Sequence, residues 1–156
     1  MGANEKCKRN GFSLVELLVV IAIILVILAV ALPRIKEARL NAVETMVVRE
    51  LQTIGQSQIQ YQSQFGQYAP TLAALGPPTS GTVGPQAASL IPASLASGEK
   101  DGYVFVTTLT PLGYSVIATP RTYGGTGRRT FYLDQDGIVH QNWGQQPAGA
   151  ASPEFK

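Results

Sequence analysis

The strongest pattern in the chain is an apolar stretch of 21 residues from Phe12 to Leu32, which carries one charge, Glu16. Because an α-helix rises about 1.5 Å per residue, this stretch forms a helix of roughly 30 Å, which matches the hydrocarbon core of a bilayer. A carboxylate inside such a segment costs on the order of 2–3 kcal/mol by insertion scales and usually marks function. The stretch contains no Lys, Arg or His. The cation for Glu16 must therefore come from a chain end or from another molecule.

Helical periodicity resumes directly after Pro33. A proline inside a helix removes one hydrogen bond and clashes with the preceding turn, so we expect a kink at Pro33 rather than a stop. Apolar residues recur at spacings typical of one helix face, namely Val43, Val47, Leu51, Ile54, Tyr61 and Phe65. The other face is predicted to be polar and comprises Lys36, Arg39, Glu44, Gln52, Gln56 and Gln60. Gly66 is the expected C-cap residue, since Pro70 blocks continuation.

The remaining sequence indicates a loop region followed by strands. Residues 67–101 are rich in Pro, Gly, Ser, Thr and Ala and are predicted to form a variable loop region. Residues 102–143 are predicted to form an antiparallel β meander, with four strands at 103–109, 114–119, 130–133 and 138–141. Residues 144–156 are predicted to form a flexible tail. The predicted fold class is α+β, with a long N-terminal helix packed on a small antiparallel β-sheet. That helix has a transmembrane half, 12–33, and an amphipathic half, 34–66.

The residues that precede and open the apolar stretch form a specific motif. Gly11, Phe12, Ser13, Leu14, Val15 and Glu16 follow a short basic leader. This motif, GFSLVE, resembles the class III signal of type IV pilins and of type II secretion pseudopilins. The resemblance implies that residues 1–11 are a leader peptide, that a prepilin peptidase/methylase cleaves between Gly11 and Phe12, and that the new amine of Phe12 is methylated. Glu16 then lies one helical turn from that amine, and in the family the equivalent glutamate pairs with a neighbouring subunit's amine.

A second resemblance covers the strand region. The sequences GYVF at 102–105 and TGRRTFYLDQDGIVH at 126–140 resemble the soluble domain of type II secretion G-like and bacterial pilin-like proteins. Together the two resemblances imply the pilin fold and a structural subunit that is not an enzyme. They also imply a homo-oligomeric helical filament, in which Glu16 and Pro33 lie in the assembly helix. The implied location is the inner membrane, in a single pass beside an assembly platform, and afterwards a cell-surface or periplasmic filament.

Three other interpretations remain open at this point. The protein could be a pseudopilin that forms a periplasmic piston, or a subunit of a DNA-uptake pilus. It could also be a membrane-anchored binding domain whose N-terminus merely resembles the signal. An ordinary secretory signal peptide is a weaker explanation, although Lys6, Lys8 and Arg9 give a positive start and Ala29-Val30-Ala31 fits a cleavage site. Such a signal gains nothing from Glu16, and the helical pattern continues past residue 33.

Charge and cysteine content add little to this picture. The chain has 12 basic and 10 acidic side chains, but removal of residues 1–11 leaves nine of each, so the net charge gives no reason to expect nucleic-acid binding. The leader's positive charge is expected to stay cytoplasmic. Cys7, the only cysteine, lies in the leader, so the processed chain has no internal disulfide.

Few residues are candidates for a metal, nucleic-acid or catalytic site. Asp134-Gln135-Asp136-Gly137 suits a tight hairpin turn, which we favour over a calcium site formed by Asp101 with Asp134 or Asp136. For the loop that holds Arg121, Arg128, Arg129 and Tyr123 we favour solvated surface charge over DNA binding. His140 has no second histidine or processed-chain cysteine to form a zinc site. We therefore expect no metal, cofactor or catalytic constellation. Trp143 either caps the sheet or contacts another subunit.

Overall fold

A computed structural model describes residues 12–156. The chain divides into two compact units, one that ends at Ala38 and one that runs from Arg39 to Lys156. The first unit consists, in its described part, of the start of one long helix. The second contains the rest of that helix, two short helices and a β-sheet.

Helix α1 runs from Leu14 to Phe65 without interruption, 52 residues in all. The prediction of one long N-terminal helix is therefore confirmed, and Pro33 lies inside the helix rather than at its end. At its C-terminus the backbone of Gly66 has a positive φ of 75°, and its N–H donates to the carbonyl of Gln62 at 2.8 Å. A residue without a side chain adopts this left-handed conformation at little cost, which is why a glycine ends the helix here.

The sheet is an antiparallel meander of five strands in the order β1-β2-β3-β4-β5. The strands are β1 (Glu99–Lys100), β2 (Tyr103–Thr110), β3 (Gly113–Pro120), β4 (Arg129–Asp134) and β5 (Val139–Trp143). The four predicted strands correspond to β2–β5, with ends that differ by at most two residues. Strand β1 is additional and pairs only with Tyr103 and Val104 at the start of β2.

The predicted loop region contains two further elements, α2 (Leu72–Leu75) and α3 (Ala93–Ala96). Thr71 caps α2, since its side chain accepts a hydrogen bond from the Ala74 N–H at 3.2 Å. Leu75 and Leu95 are fully buried. A helix of one turn is too short to show a helical period, so the composition around α2 indicated a loop. The apolar run 90–96 was expected to form a short helical turn or an extended patch against the long helix, and α3 is that helical turn.

The hydrophobic core of the Arg39–Lys156 unit lies between one face of α1 and one face of the sheet. The helix contributes Val47, Leu51, Ile54 and Tyr61, and the sheet contributes Tyr103, Phe105, Tyr114, Val116, Phe131 and Leu133. Gly55 lets helix and sheet approach closely, because a Cβ at this position would lie 3.0 Å from Leu133 and 3.2 Å from the Tyr114 hydroxyl. The amphipathic prediction thus identified the buried helix face, with one exception described below.

The C-terminal segment differs from the flexible tail predicted for residues 144–156. Residues 153–155 run beside β5, where the Gln141 N–H donates to the Pro153 carbonyl and the Phe155 N–H donates to the Val139 carbonyl, both at 2.8 Å. Phe155 packs edge-on against Phe131, with ring centroids 5.7 Å apart. The Pro/Gly/Ala composition suggested a loose end, but the packing of one aromatic side chain and these hydrogen bonds hold the segment on the sheet.

Candidate processing and assembly site

The candidate site begins at the N-terminus of α1. The carbonyl of Ser13 accepts the first helical hydrogen bond, from the Leu17 N–H at 3.1 Å, so Ser13 is the N-cap residue and Glu16 lies in the first turn. A carboxylate at this position interacts favourably with the helix macrodipole. Phe12 precedes the helix and its side chain is 77% exposed. Gly11, the other residue of the predicted cleavage site, lies outside the described residues.

Glu16 is exposed and has no ion-pair partner within residues 12–156. The helix surface around Glu16 is apolar on every side. The large hydrophobic residues from Leu14 to Leu32 are between 44% and 78% exposed. By length and composition, α1 is the one helix in the described part of the chain that could cross a membrane. Between residues 12 and 38 no other element covers this surface, and an apolar surface of this extent indicates contact with a bilayer or with another protein.

Comparison with known families bears directly on this end of the chain. Residues 6–32 match the family model described as the prokaryotic N-terminal methylation motif. The chain therefore carries the class III signal of type IV pilin-like and pseudopilin-like proteins, as the GFSLVE resemblance predicted. The motif implies processing by a prepilin peptidase, and together with the long apolar helix it suits membrane anchoring before assembly.

A second family model covers most of the sheet. Residues 92–153 match a family described as proteins of unknown function, DUF2950. Searches of curated proteins and of solved structures returned no match. The long helix on an antiparallel sheet gives an α+β, pilin-like architecture.

The structure corrects one prediction on α1, because Glu44 does not lie on the solvent face. Its side chain is fully buried and forms an ion pair with Arg129 at the start of β4, with a nitrogen–oxygen distance of 2.6 Å. Arg129 Nε also donates to Glu44 Oε2 at 2.7 Å, and the Arg128 N–H donates to Oε1 at 2.7 Å. The carboxylate is thus satisfied on both oxygens, as a buried charge requires. Burial and, to a smaller extent, the nearby Glu44 charge raise the pKa of Tyr103.

A sequence signal for this burial exists. Leu40, Glu44 and Val48 are spaced by four residues, and both apolar neighbours are buried. Glu44 therefore occupies a position on a second apolar stripe of the helix, next to the predicted apolar face that contains Val43 and Val47. What the sequence could not show is the partner, since Arg129 lies 85 residues away.

The three arginines of the predicted basic loop have separate protein partners. Arg121 forms an exposed ion pair with Glu99 at 2.9 Å, whereas Arg128 donates to the Asn41 side chain at 2.6 Å. Arg129 is the buried partner of Glu44 and also lies 4.8 Å from the centre of the Trp143 ring, a cation–π distance. Trp143 thus covers this ion pair at the end of the sheet. The basic loop does not form a single cationic surface, and the expectation of solvated surface charge is wrong for Arg129, whose side chain is largely buried.

The acidic candidates do not converge either. Asp134 pairs with Ser115 near the β2–β3 hairpin, while Asp101 lies in the turn before Tyr103 at the opposite end of β2. At about 3.3 Å per residue these ends are separated by roughly 17 Å, so Asp101 and Asp134 cannot share one ion. Asp134 instead accepts the Asp136 N–H at 3.0 Å, the Asx-type contact of a turn. His140 contacts the Ser152 carbonyl at 2.7 Å and so helps to hold the C-terminal segment.

Proposed function

We propose that this protein is a structural subunit of a type IV pilus-like filament, which polymerises through α1 after cleavage and N-methylation. The observation that supports the proposal most strongly is the methylation motif at residues 6–32, followed by the apolar helix surface that is exposed within residues 12–156. The motif accounts for processing, and the bare helix accounts for both a membrane-bound precursor and a helix-packed filament core.

In this mechanism the precursor spans the inner membrane once, with residues 1–11 in the cytoplasm. A prepilin peptidase/methylase cuts between Gly11 and Phe12 and methylates the new amine. An inner-membrane assembly platform then transfers the subunit to the filament. There the apolar side chains exchange lipid for the helices of neighbouring copies, so much of the free energy of assembly comes from packing. Association is head-to-tail, and such a contact extends as an open helix when its rotation does not close a ring.

Glu16 provides specificity in this assembly. An apolar helix can slide along its neighbour with little change in energy, whereas a carboxylate in an apolar interface must find a cation. The methylated amine of Phe12 on a neighbouring copy is the cation that the processed sequence supplies. Pairing between Glu16 and that amine fixes the axial offset between neighbouring helices.

Three variants test the proposal. Gly11→Val is expected to leave uncleaved precursor in the membrane. Glu16→Ala is expected to be cleaved normally, with Phe12 as the N-terminal residue by mass spectrometry, but to yield no regular fibres by electron microscopy. Glu37→Ala is the control, since Glu37 is an exposed carboxylate on the same helix outside the motif, and it is expected to assemble normally. Regular fibres from Glu16→Ala, or an unmodified mature N-terminus, would refute the mechanism.

The same chemistry would serve a pseudopilin, which is the alternative within this class. Fibre length and location distinguish the two. Long fibres that can be sheared from the cell surface support the pilus subunit, whereas short fibres confined to the periplasm support the secretion piston.

A further inference from the structure

One end of the Arg39–Lys156 unit, here called the entry end, is where α1 enters the unit from the apolar stretch. The loop 121–128 lies at this end, because the Arg128 side chain donates to Asn41 near the start of the unit, at 2.6 Å. Strand β4 follows the loop and reaches Gly55 at Leu133. The strand therefore runs from the entry end toward the C-terminus of α1, and the loop before it stays at the entry end.

Exposed aromatic side chains mark the entry end. Trp143, the last residue of β5, is 61% exposed and pairs in register with Arg129 at the start of β4. Tyr123 lies in the loop 121–128 and is 46% exposed. Tryptophan and tyrosine combine a large apolar ring with a polar tip, and both are enriched where a membrane meets water. The entry end thus carries the side chains typical of a membrane interface.

The charged groups at the entry end largely balance one another. Arg121 pairs with Glu99 at 2.9 Å, and the buried ion pair between α1 and β4 is neutral as a whole. Arg128 and Asp101 form no ion pair within residues 12–156, and their charges are opposite. Because little net charge remains, attraction to an anionic surface is weak. The aromatic rings are therefore the groups through which this end can bind a surface.

Covalent connection keeps the entry end near the bilayer whenever α1 spans it. The helix is continuous, and residues 33–40 alone separate Leu32, the last residue of the apolar stretch, from Asn41. These residues add about 12 Å of helix, whereas the headgroup layer on each side of a bilayer core is about 5–8 Å thick. Membrane helices tilt by about 20° on average, which is enough to bring one side of the entry end onto the headgroups.

We propose that the entry end docks on phospholipid headgroups through Trp143 and Tyr123 while the subunit is anchored in the membrane. The membrane is the occupant because it adjoins the segment that α1 inserts and is present for as long as the subunit is anchored. The rings exchange water for the boundary between headgroups and acyl chains, and their polar tips keep hydrogen-bond partners there. This inference rests on the membrane-bound precursor of the proposed function, and it does not depend on polymerisation.

The contact can be measured directly, because Trp143 is the only tryptophan of the chain. The full chain is placed in phosphatidylcholine vesicles, with or without lipids that carry a nitroxide quencher near the headgroup. The nitroxide lipids are expected to reduce the fluorescence of Trp143.

A second tryptophan position provides the matched control. In the variant Trp143→Phe with Leu112→Trp, the reporter lies in the turn between β2 and β3, where Leu112 is 84% exposed. Strand β2 has eight residues and so places this turn about 25 Å from the entry end. The control is expected to keep its fluorescence. Equal quenching of the two reporters, or no quenching of Trp143, would overturn the proposal.

Flotation of the same vesicles separates this inference from the proposed function. A chain that does not float with the vesicles is not anchored by α1, and both proposals then fail. A chain that floats while Trp143 stays unquenched refutes the docking alone. Tyr123→Ser is expected to weaken the quenching of Trp143, whereas Val83→Ser is expected to leave it unchanged, since Val83 is 58% exposed in a loop held near Tyr61. Equal effects of the two substitutions would contradict the role of Tyr123.

Discussion

Replacing Glu44 by alanine would remove the acidic half of a buried ion pair. In the native structure the carboxylate accepts hydrogen bonds from Arg129 Nε and the Arg128 N–H, both at 2.7 Å, and contacts a terminal nitrogen of Arg129 at 2.6 Å. The Arg129 side chain is only 15% exposed. After the substitution its guanidinium would remain largely desolvated, with one hydrogen bond left, to Gln141 at 2.8 Å.

The expected loss of stability follows from the burial of Arg129. Removing one partner of a buried ion pair typically costs about 3–5 kcal/mol, since the remaining charge is uncompensated. For a unit of this size, 1 kcal/mol corresponds to a few degrees in Tm, so the expected loss is about 10–20 °C. Glu50→Ala is the matched control on the same helix. The Glu50 and Lys100 side chains of its ion pair are 19% and 26% exposed, and pairs nearer the surface contribute about 1 kcal/mol or less.

Thermal unfolding of the full chain in detergent, followed by near-ultraviolet circular dichroism, would measure both losses. The buried tyrosines report loss of tertiary packing directly. A double substitution, Glu44→Leu with Arg129→Met, is expected to recover most of the stability, because an apolar pair needs no solvation. Free energies of unfolding that differ by less than about 1 kcal/mol between Glu44→Ala and Glu50→Ala would contradict this prediction, as would a double variant that is no more stable than Glu44→Ala.

Other substitutions probe separate contacts. Burial, followed by the smaller effects of Tyr68 and Asp134, raises the pKa of Tyr114 from 10.0 to about 12; between these pH values the unfolded chain has lost a proton that the folded chain keeps. The free energy of unfolding should therefore fall with rising pH, by up to about 1.4 kcal/mol per unit, and chemical denaturation should show a shallower fall for Tyr114→Phe. Gly55→Ala should gain about 1 kcal/mol of helix propensity but lose about 1–3 kcal/mol through crowding, giving a net loss in denaturant titrations; a gain would show that the buried neighbours can move. Phe155→Ala should expose the C-terminal segment to proteolysis while β2–β4 stay protected, and unchanged cleavage would contradict its anchoring role.

Much of the fold could be predicted because it depends on local patterns. The apolar stretch before Pro33 and the spacing of apolar residues after it define one helix, and alternating β-branched and aromatic residues define β2 to β5. The elements that were not predicted are too short to show a period. Strand β1 has two residues and α2 has four, so their existence depends on tertiary contacts rather than on propensity.

The candidate site was predictable for a different reason. A processing signal is read as a linear sequence by an enzyme, so residues 11–16 contain nearly all of the information. Contacts between residues far apart in the sequence leave no such contiguous motif. The spacing of Leu40, Glu44 and Val48 places Glu44 on an apolar stripe of the helix, but only the packing of β4 against the helix reveals Arg129 as its partner. The same holds for the C-terminal segment, since the role of Phe155 depends on its contact with Phe131 in β4, which the sequence does not indicate.

Side-chain hydrogen bonds connect α1 to the rest of the Arg39–Lys156 unit at several positions along the helix. Glu44 bonds to β4, the Gln58 side chain bonds to Ala69 in both directions, and the Tyr61 hydroxyl donates to the Pro85 carbonyl at 2.6 Å. From Glu44 to Tyr61 these attachments span about 25 Å of helix. A force along the helix axis would act on all of these hydrogen bonds at the same time, in shear, rather than on one after another. The helix can therefore transmit tension while the sheet and the preceding loop region remain attached to it, a property that the proposed filament subunit would need.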